Sequence, residues 1–365
     1  MLHNMSINEQ WRTRPADERY TSLIELQAAA HHVMDHSSAK VVASRSLTAD
    51  LDSTGKLVLK GPSGNAAVPT HWAFGQLAQR AGAPAGYLRD LPNALAADCI
   101  NYGLHVVRPV DDIGVLLYKN GGPAELHAVT GPNYGRIWNA RLADALVETF
   151  GDGRTGAFRV PGEFGKQVAI TKDNTTLYAS DRDMVVFLAD EDKSIDVPNR
   201  RDGKTGRLSS GIAIGNSDVG GGRLWVASFG FDYICCNRII WGMVDVEELA
   251  IRHTASAPHR FMSEVVPALK EIARTNIGLR EAQIVAAQNA KVDDLDKFLS
   301  SRKFNRSQVS GIKAAYKTDE GNALMDDCSV WDAVVAATAY ARSLQYQDAR
   351  IDIETAAGKM LRLAA

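Results

Sequence analysis

Residues 209–243, SSGIAIGNSDVGGGRLWVASFGFDYICCNRIIWGM, decide how the rest of the chain is read. Two runs rich in β-branched and aromatic residues, 211–215 and 223–229, flank Asn216-Ser217-Asp218-Val219-Gly220-Gly221-Gly222. Such runs suit pleated strands. Strands on both sides predict a hairpin whose glycines allow a tight reversal. Upstream, 166–171, 175–179 and 184–189 are further short β runs parted by Asp and Asn turns. An antiparallel β core is therefore expected over 152–255.

Working outward, 1–151 alternates helix and strand signals. Helical patterns begin at 22–32, at 71–80 behind the cap Pro69-Thr70, at 92–102 with Gly103 as a stop, and at 138–150. Short strands are expected at 40–45 and 56–59. The segments 113–119 and 125–130 form a hairpin about Asn120-Gly121-Gly122-Pro123. Beyond the core, 239–251, 261–275, 280–290 and 330–344 suit packed helices, so 256–365 reads as a helical region. The polar segment 190–210 reads as a long hairpin loop. The fold class is α+β: a mixed N-terminal part, a central antiparallel β region and a helical C-terminal third.

The 365 residues suffice for a sizeable core, and 45% apolar with 23% charged residues is ordinary globular usage. A formal net charge of −2 gives no global basic bias towards nucleic acid, although local patches still act through the screened field. The cysteines Cys99, Cys235, Cys236 and Cys328 match no zinc spacing and no CxxC pair, which predicts reduced thiols and a cytoplasmic setting. The polar start and the lack of any long apolar window argue against secretion and against membrane insertion.

No complete catalytic signature is present, so no catalytic residue, metal or cofactor is expected. The glycine turn lacks the GxxxxGK[ST] pattern and is followed by a strand rather than a helix, which demotes a phosphate loop. His32 and His36 have the i, i+4 spacing of metal ligands, without a third ligand or the glutamate of HExxH. No nucleophile elbow occurs, and Cys235 and Cys236 fall in an apolar strand that blunts reactivity. Asp181, Asp183, Asp190 and Asp192 have no diagnostic metal spacing, and a solvated turn explains them simply.

Basic stretches are more suggestive. Arg200, Arg201, Lys204 and Arg207 lie in one polar segment opposed by Asp202 alone. From 297 to 317, Lys297, Arg302, Lys303, Arg306, Lys313 and Lys317 alternate with Phe298, Phe304 and Tyr316 and with no acid. Cations neutralise backbone phosphates while aromatics stack on unpaired bases. The competing account of the second stretch is a solvated helical face with its aromatics in the core.

Residues 209–243 resemble the central motif of a phage- and plasmid-borne family, domain of unknown function 932. Asn216, Ser217, Gly220, Arg223, Cys236 and Asn237 match it, and Arg238 stands where that family usually has glycine. RPADERYTSL at 14–23, VVASR at 41–45, and WDAVVAATAYAR and AAGKML within 331–361 are similar to its phage-like branch. The resemblance implies an accessory protein of a phage, prophage or plasmid that handles incoming DNA or counters a host defence. A second, fold-level likeness is to single-strand annealing proteins.

Together these features predict a non-enzymatic protein that binds DNA, single-stranded by preference. Arg200, Arg201, Lys204, Arg207 and Arg223 would meet phosphates, with Trp225 or Tyr233 as a stacking surface. The alternative is a protein that engages a host partner through its helical C-terminal third. A homo-oligomer is compatible with either.

Overall fold

The computed structural model describes residues 15–161, 169–197, 206–232, 238–241, 249–274, 281–318, 328–344 and 347–361. The fold is α+β, with two large sheets and helices over them. The first sheet joins six strands: β2 (Ser37–Ala43), β3 (Thr48–Leu51), β4 (Leu57–Lys60), β5 (Ala66–Pro69), β6 (Asp112–Tyr118) and β7 (Ala124–Thr130). Their order is β2-β6-β7-β5-β4-β3, antiparallel except for β5 beside β7. The expected hairpin about Asn120–Pro123 is β6–β7.

Helices α2 (His71–Ala81), α3 (Ala85–Asp90) and α4 (Asn93–Tyr102) accompany this sheet. Thr70 caps α2, its hydroxyl accepting the Ala73 N–H, as the sequence predicts. Leu77, Ala78, Ile100 and Leu104 bury themselves against Ile113, Val115, Leu126 and Val129. Each such aliphatic side chain removed from water contributes about 1.5–3 kcal/mol.

The second sheet has the order β1-β9-β10-β11-β12-β13, from β1 (Arg19–Tyr20), β9 (Leu177–Ala179), β10 (Met184–Val197), β11 (Gly206–Asn216), β12 (Leu224–Asp232) and β13 (Arg238–Trp241). β8 (Phe158–Arg159) pairs with β10, and β14 (Leu249–Ile251) pairs with β12. Alternation along the central strands sends side chains to two separate cores. Val186, Leu188, Ile212, Ile214 and Val226 meet Leu23 and Leu26 of α1 (Leu23–Asp35), Leu142 and Leu146 of α5 (Asn139–Phe150), and Leu269. Phe187, Ala213 and Ala227 face the C-terminal helices through Ile284, Val334, Ala337 and Ile353. The sheet is thus covered on both faces, and β1, α1 and α5 from the first 151 residues belong to this central layer.

The remaining helices are α6 (Ala257–Arg260), α7 (Val266–Arg274), α8 (Glu281–Asn289), α9 (Leu295–Ser301), α10 (Arg306–Thr318), α11 (Val330–Arg342) and α12 (Gln347–Leu361). β15 (Lys291–Val292) and β16 (Cys328–Ser329) form a small ribbon. A capping box of Ser329 and Asp332 starts α11.

Four sequence expectations are corrected. In the expected loop 190–210, residues 190–197 and 206–210 are strand: β10 and β11 continue pairing to Val197↔Gly206, across an irregularity between Asp190 and Ser194, and 198–205 lie outside the described residues. Main-chain pairing carries this ladder despite its polar side chains. The expected helix over 239–251 is replaced at its ends by β13 and β14, both paired to β12, where open sheet edges override helical periodicity. Gly103 does not stop α4: the chain continues as a π turn, Gly103–Val107. A Cβ there would stand 2.2 Å from Ala81 O, so Gly103 permits close packing on α2. Residues 169–171 are not strand, and 166–168 lie outside the described residues.

Candidate functional site

The glycine turn closes the β11–β12 hairpin and plugs into the first sheet. Three successive carbonyls of the turn each accept from a different side chain. Tyr134 Oη donates to Ser217 O at 2.8 Å, the Arg136 guanidinium donates to Asp218 O, and Gln76 Nε2 donates to Val219 O at 2.8 Å. Trp72 Nε1 adds a longer contact to Val219 O at 3.4 Å. Val219 itself packs with Leu116 and Ala128 of β6 and β7.

One donor of the turn is committed as well: Gly221 N–H donates to Ser217 Oγ at 2.6 Å, while Ser217 Oγ donates to Arg182 O at 2.6 Å. That bond takes one N–H away from any anion nest. The turn's glycines serve geometry. Gly220 has φ +87°, and a Cβ there would stand 3.0 Å from Gln76 Nε2; at Gly221 it would stand 2.9 Å from Ser217 Oγ.

Around the plug lies a polar cluster that is largely out of water. Asn216 Nδ2 donates to Ile137 O at 2.8 Å and to Asn139 Oδ1 at 2.7 Å. The Asp218 carboxylate accepts the Asn139 N–H at 3.3 Å, at the start of α5, where a helix favours negative charge. Burial nevertheless pushes the Asp218 carboxyl above its ordinary range, against the pull of Asn139 N–H and Arg136. Burial lowers Arg136 and raises the Tyr134 phenol. His253 stacks on Tyr134 with ring centroids 4.9 Å apart, and its Nδ1–H donates to Gly135 O at 3.1 Å. Burial holds that imidazole towards its neutral form.

Beside the plug, the surface opens into a cleft of about 630 Å³. One wall is the end of α2, with Gln76, Gln79 and Arg80. Arg108, Pro109 and Asp111 form another, and Val129, Thr130, Gly131, Tyr134 and Gly220 complete the lining. Two arginines face one aspartate, and Arg80 lies 3.8 Å from Asp111. The Arg108 guanidinium rests on Gly82, at the C-terminal cap of α2. The cleft is thus polar and open, with two arginines to one aspartate, a charge balance that suits an anionic group.

The residues expected from sequence are only partly brought here. Gly220 lines the cleft, and Asn216 and Ser217 hold the plug. Arg223 is exposed just after the turn. Trp225 is half-buried over Gly215, where a Cβ would stand 2.3 Å from its Nε1, and it packs against Tyr178 and Val185. Its ring belongs to the sheet more than to a ligand. Arg207 lies in β11, its side chain outside the described residues, as are Arg200, Arg201, Lys204, Tyr233, Cys236 and Asn237.

In the second basic stretch, Phe304 and Tyr316 turn into the core, while Lys297 and Lys313 pair with Asp294 and Asp296 at 3.5 and 2.7 Å. Arg302 lies over the Phe298 ring. His32 and His36 meet with tilted rings 4.2 Å apart and close the end of α1, His36 Nδ1–H donating to His32 O at 2.8 Å. Among the described residues no group of three His, Cys, Asp or Glu could hold a metal ion. Asp183 accepts from Ser180 Oγ at 3.1 Å in a short turn.

Sequence reading missed Tyr134, Arg136, Asn139, Gln76, Arg80, Arg108 and His253. For Tyr134, Arg136 and Asn139 the visible signal was GPNYGRIWNA at 131–140, a Gly- and Asn-punctuated connection loaded with Tyr, Arg and Trp. No family model, curated protein or solved structure matches the chain. Among the described residues, no helix is long and apolar enough to cross a membrane.

Proposed function

We propose that this protein binds single-stranded DNA, as an accessory factor of a phage, prophage or plasmid, with the strand's phosphates entering the cleft beside the glycine turn. The observation that carries this reading is the pair Arg80 and Arg108 in an open polar cleft, set against the single acid Asp111. Cations in such a cleft displace condensed counterions from a phosphate chain, and that release drives association. The motif residues Asn216, Ser217 and Gly220 support the reading by likeness, since they build the wall on which the cleft stands. Arg200, Arg201, Lys204 and Arg207 would add further phosphate contacts.

The test is anisotropy or gel-shift titration of the intact protein with a labelled single-stranded oligonucleotide over a salt series. Binding that weakens linearly in log salt supports the proposal. Absence of binding at the lowest salt sinks it, because the phosphate contribution is largest there.

A further inference from the structure

We infer that the outward face of α4 and its π turn is a platform for unpaired nucleobases, which makes the cleft select single strands over duplex. The inference rests on the reading that DNA phosphates occupy the cleft. Tyr102 and Val106, 62% and 63% exposed, stand four residues apart across the junction of α4 and its π turn. Val107 and Val110 are also exposed, and between them in the chain lie Arg108 and Pro109, which line the cleft. The inner face is buried through Ala96, Ala97, Ile100 and Leu104, and Gly103 clamps the turn onto Ala81. The exposed side chains are therefore held on a rigid support.

Four exposed apolar side chains within nine residues mark an interaction surface. What adjoins them selects the occupant. A cationic cleft whose lining residues Arg108 and Pro109 are flanked in the chain by exposed valines matches a chain whose backbone is anionic and whose faces are flat and apolar. Unpaired DNA has both; in a duplex the base faces are stacked inside and only backbone and groove edges remain. Stacking on a tyrosine tolerates any base, so no sequence preference is expected.

The experiment compares a labelled oligothymidylate, an abasic sugar-phosphate chain of equal length and a duplex, titrated against the intact protein, Tyr102→Ala, Val106→Ser and Arg80→Gln. Tyr102→Ala should weaken oligothymidylate binding by about tenfold and leave the abasic chain unaffected. Val106→Ser should act in the same direction more weakly. Arg80→Gln should weaken all three polymers alike. Equal affinity of the intact protein for the abasic chain and oligothymidylate overturns the platform, as does a Tyr102→Ala loss shared by both. Binding of none of the three at low salt overturns the cleft reading itself, and the platform with it.

Discussion

Asn139 donates its backbone N–H to the Asp218 carboxylate at 3.3 Å although 79 residues of chain separate the two. The bond ties the first turn of α5 to the glycine plug. Through Arg136 and Tyr134 it also fixes the loop that forms one side of the cleft. Whatever binds in the cleft thus depends on a buried polar joint between the two sheets.

That joint carries a pH signature. Burial raises the Asp218 carboxyl above its ordinary value of 3.8, so folding favours the protonated acid. A raised folded-state pKa contributes stability that is full below the unfolded value and lost as pH rises through the folded value. Asp218→Asn keeps the acceptor for Asn139 N–H and has no proton to titrate. Its Tm deficit relative to the natural protein should be larger near about pH 4 than near about pH 7. A deficit that grows with pH would mean that Arg136 stabilises the carboxylate and would overturn this account.

Two glycines of the turn, Gly220 and Gly222, should differ sharply. Gly220→Ala forces a Cβ into a left-handed backbone at φ +87° and towards Gln76 Nε2, at a cost of about 1–2 kcal/mol or more. Gly222→Ala places its Cβ in open space and should change stability by less than about 0.5 kcal/mol. Denaturant unfolding of the two variants checks the contrast.

Gln76 bridges the layers by accepting Val129 N–H at 2.8 Å and donating to Val219 O at 2.8 Å. Gln76→Leu fills the same space, removes the side-chain acceptor of Val129 N–H at a cost of about 1–3 kcal/mol, and leaves Val219 O with the longer Trp72 Nε1 contact. Amide hydrogen exchange should report it locally, with Val129 losing protection before the helix α2 does. Uniform loss across the first sheet would show that Gln76 acts by packing instead.

How much of this was legible follows from where each interaction is encoded. The hairpins β6–β7 and β11–β12 are local, and Asn120-Gly121-Gly122-Pro123 and Gly220-Gly221-Gly222 announce them directly. The capped helices α2 and α11 are equally local. The polar end of the β10–β11 ladder is not, because main-chain pairing there needs no apolar side chains. Ile239 and Ile240 suit helix or strand, and the free edge of β12 decides between them. The site was least legible of all. Gln76, Tyr134, Arg136 and Asp218 meet only after two sheets dock, and no spacing within one segment encodes that.

Charge in the cleft gives the last expectation. On single strands each phosphate neutralised contributes about 0.7 to the slope of log affinity against log salt. Replacing Arg80 and Arg108 together by glutamine should therefore lower that slope by about 1.4 and weaken binding at low salt. Lys270, outside the cleft and paired with Glu148 at 2.7 Å, supplies the control: Lys270→Gln should leave the slope in place. Because Arg108 rests against the C-terminal cap of α2, an unchanged far-ultraviolet circular dichroism spectrum is needed to separate lost contact from lost fold. A slope that falls equally in the control would show that overall charge, and not this cleft, governs association.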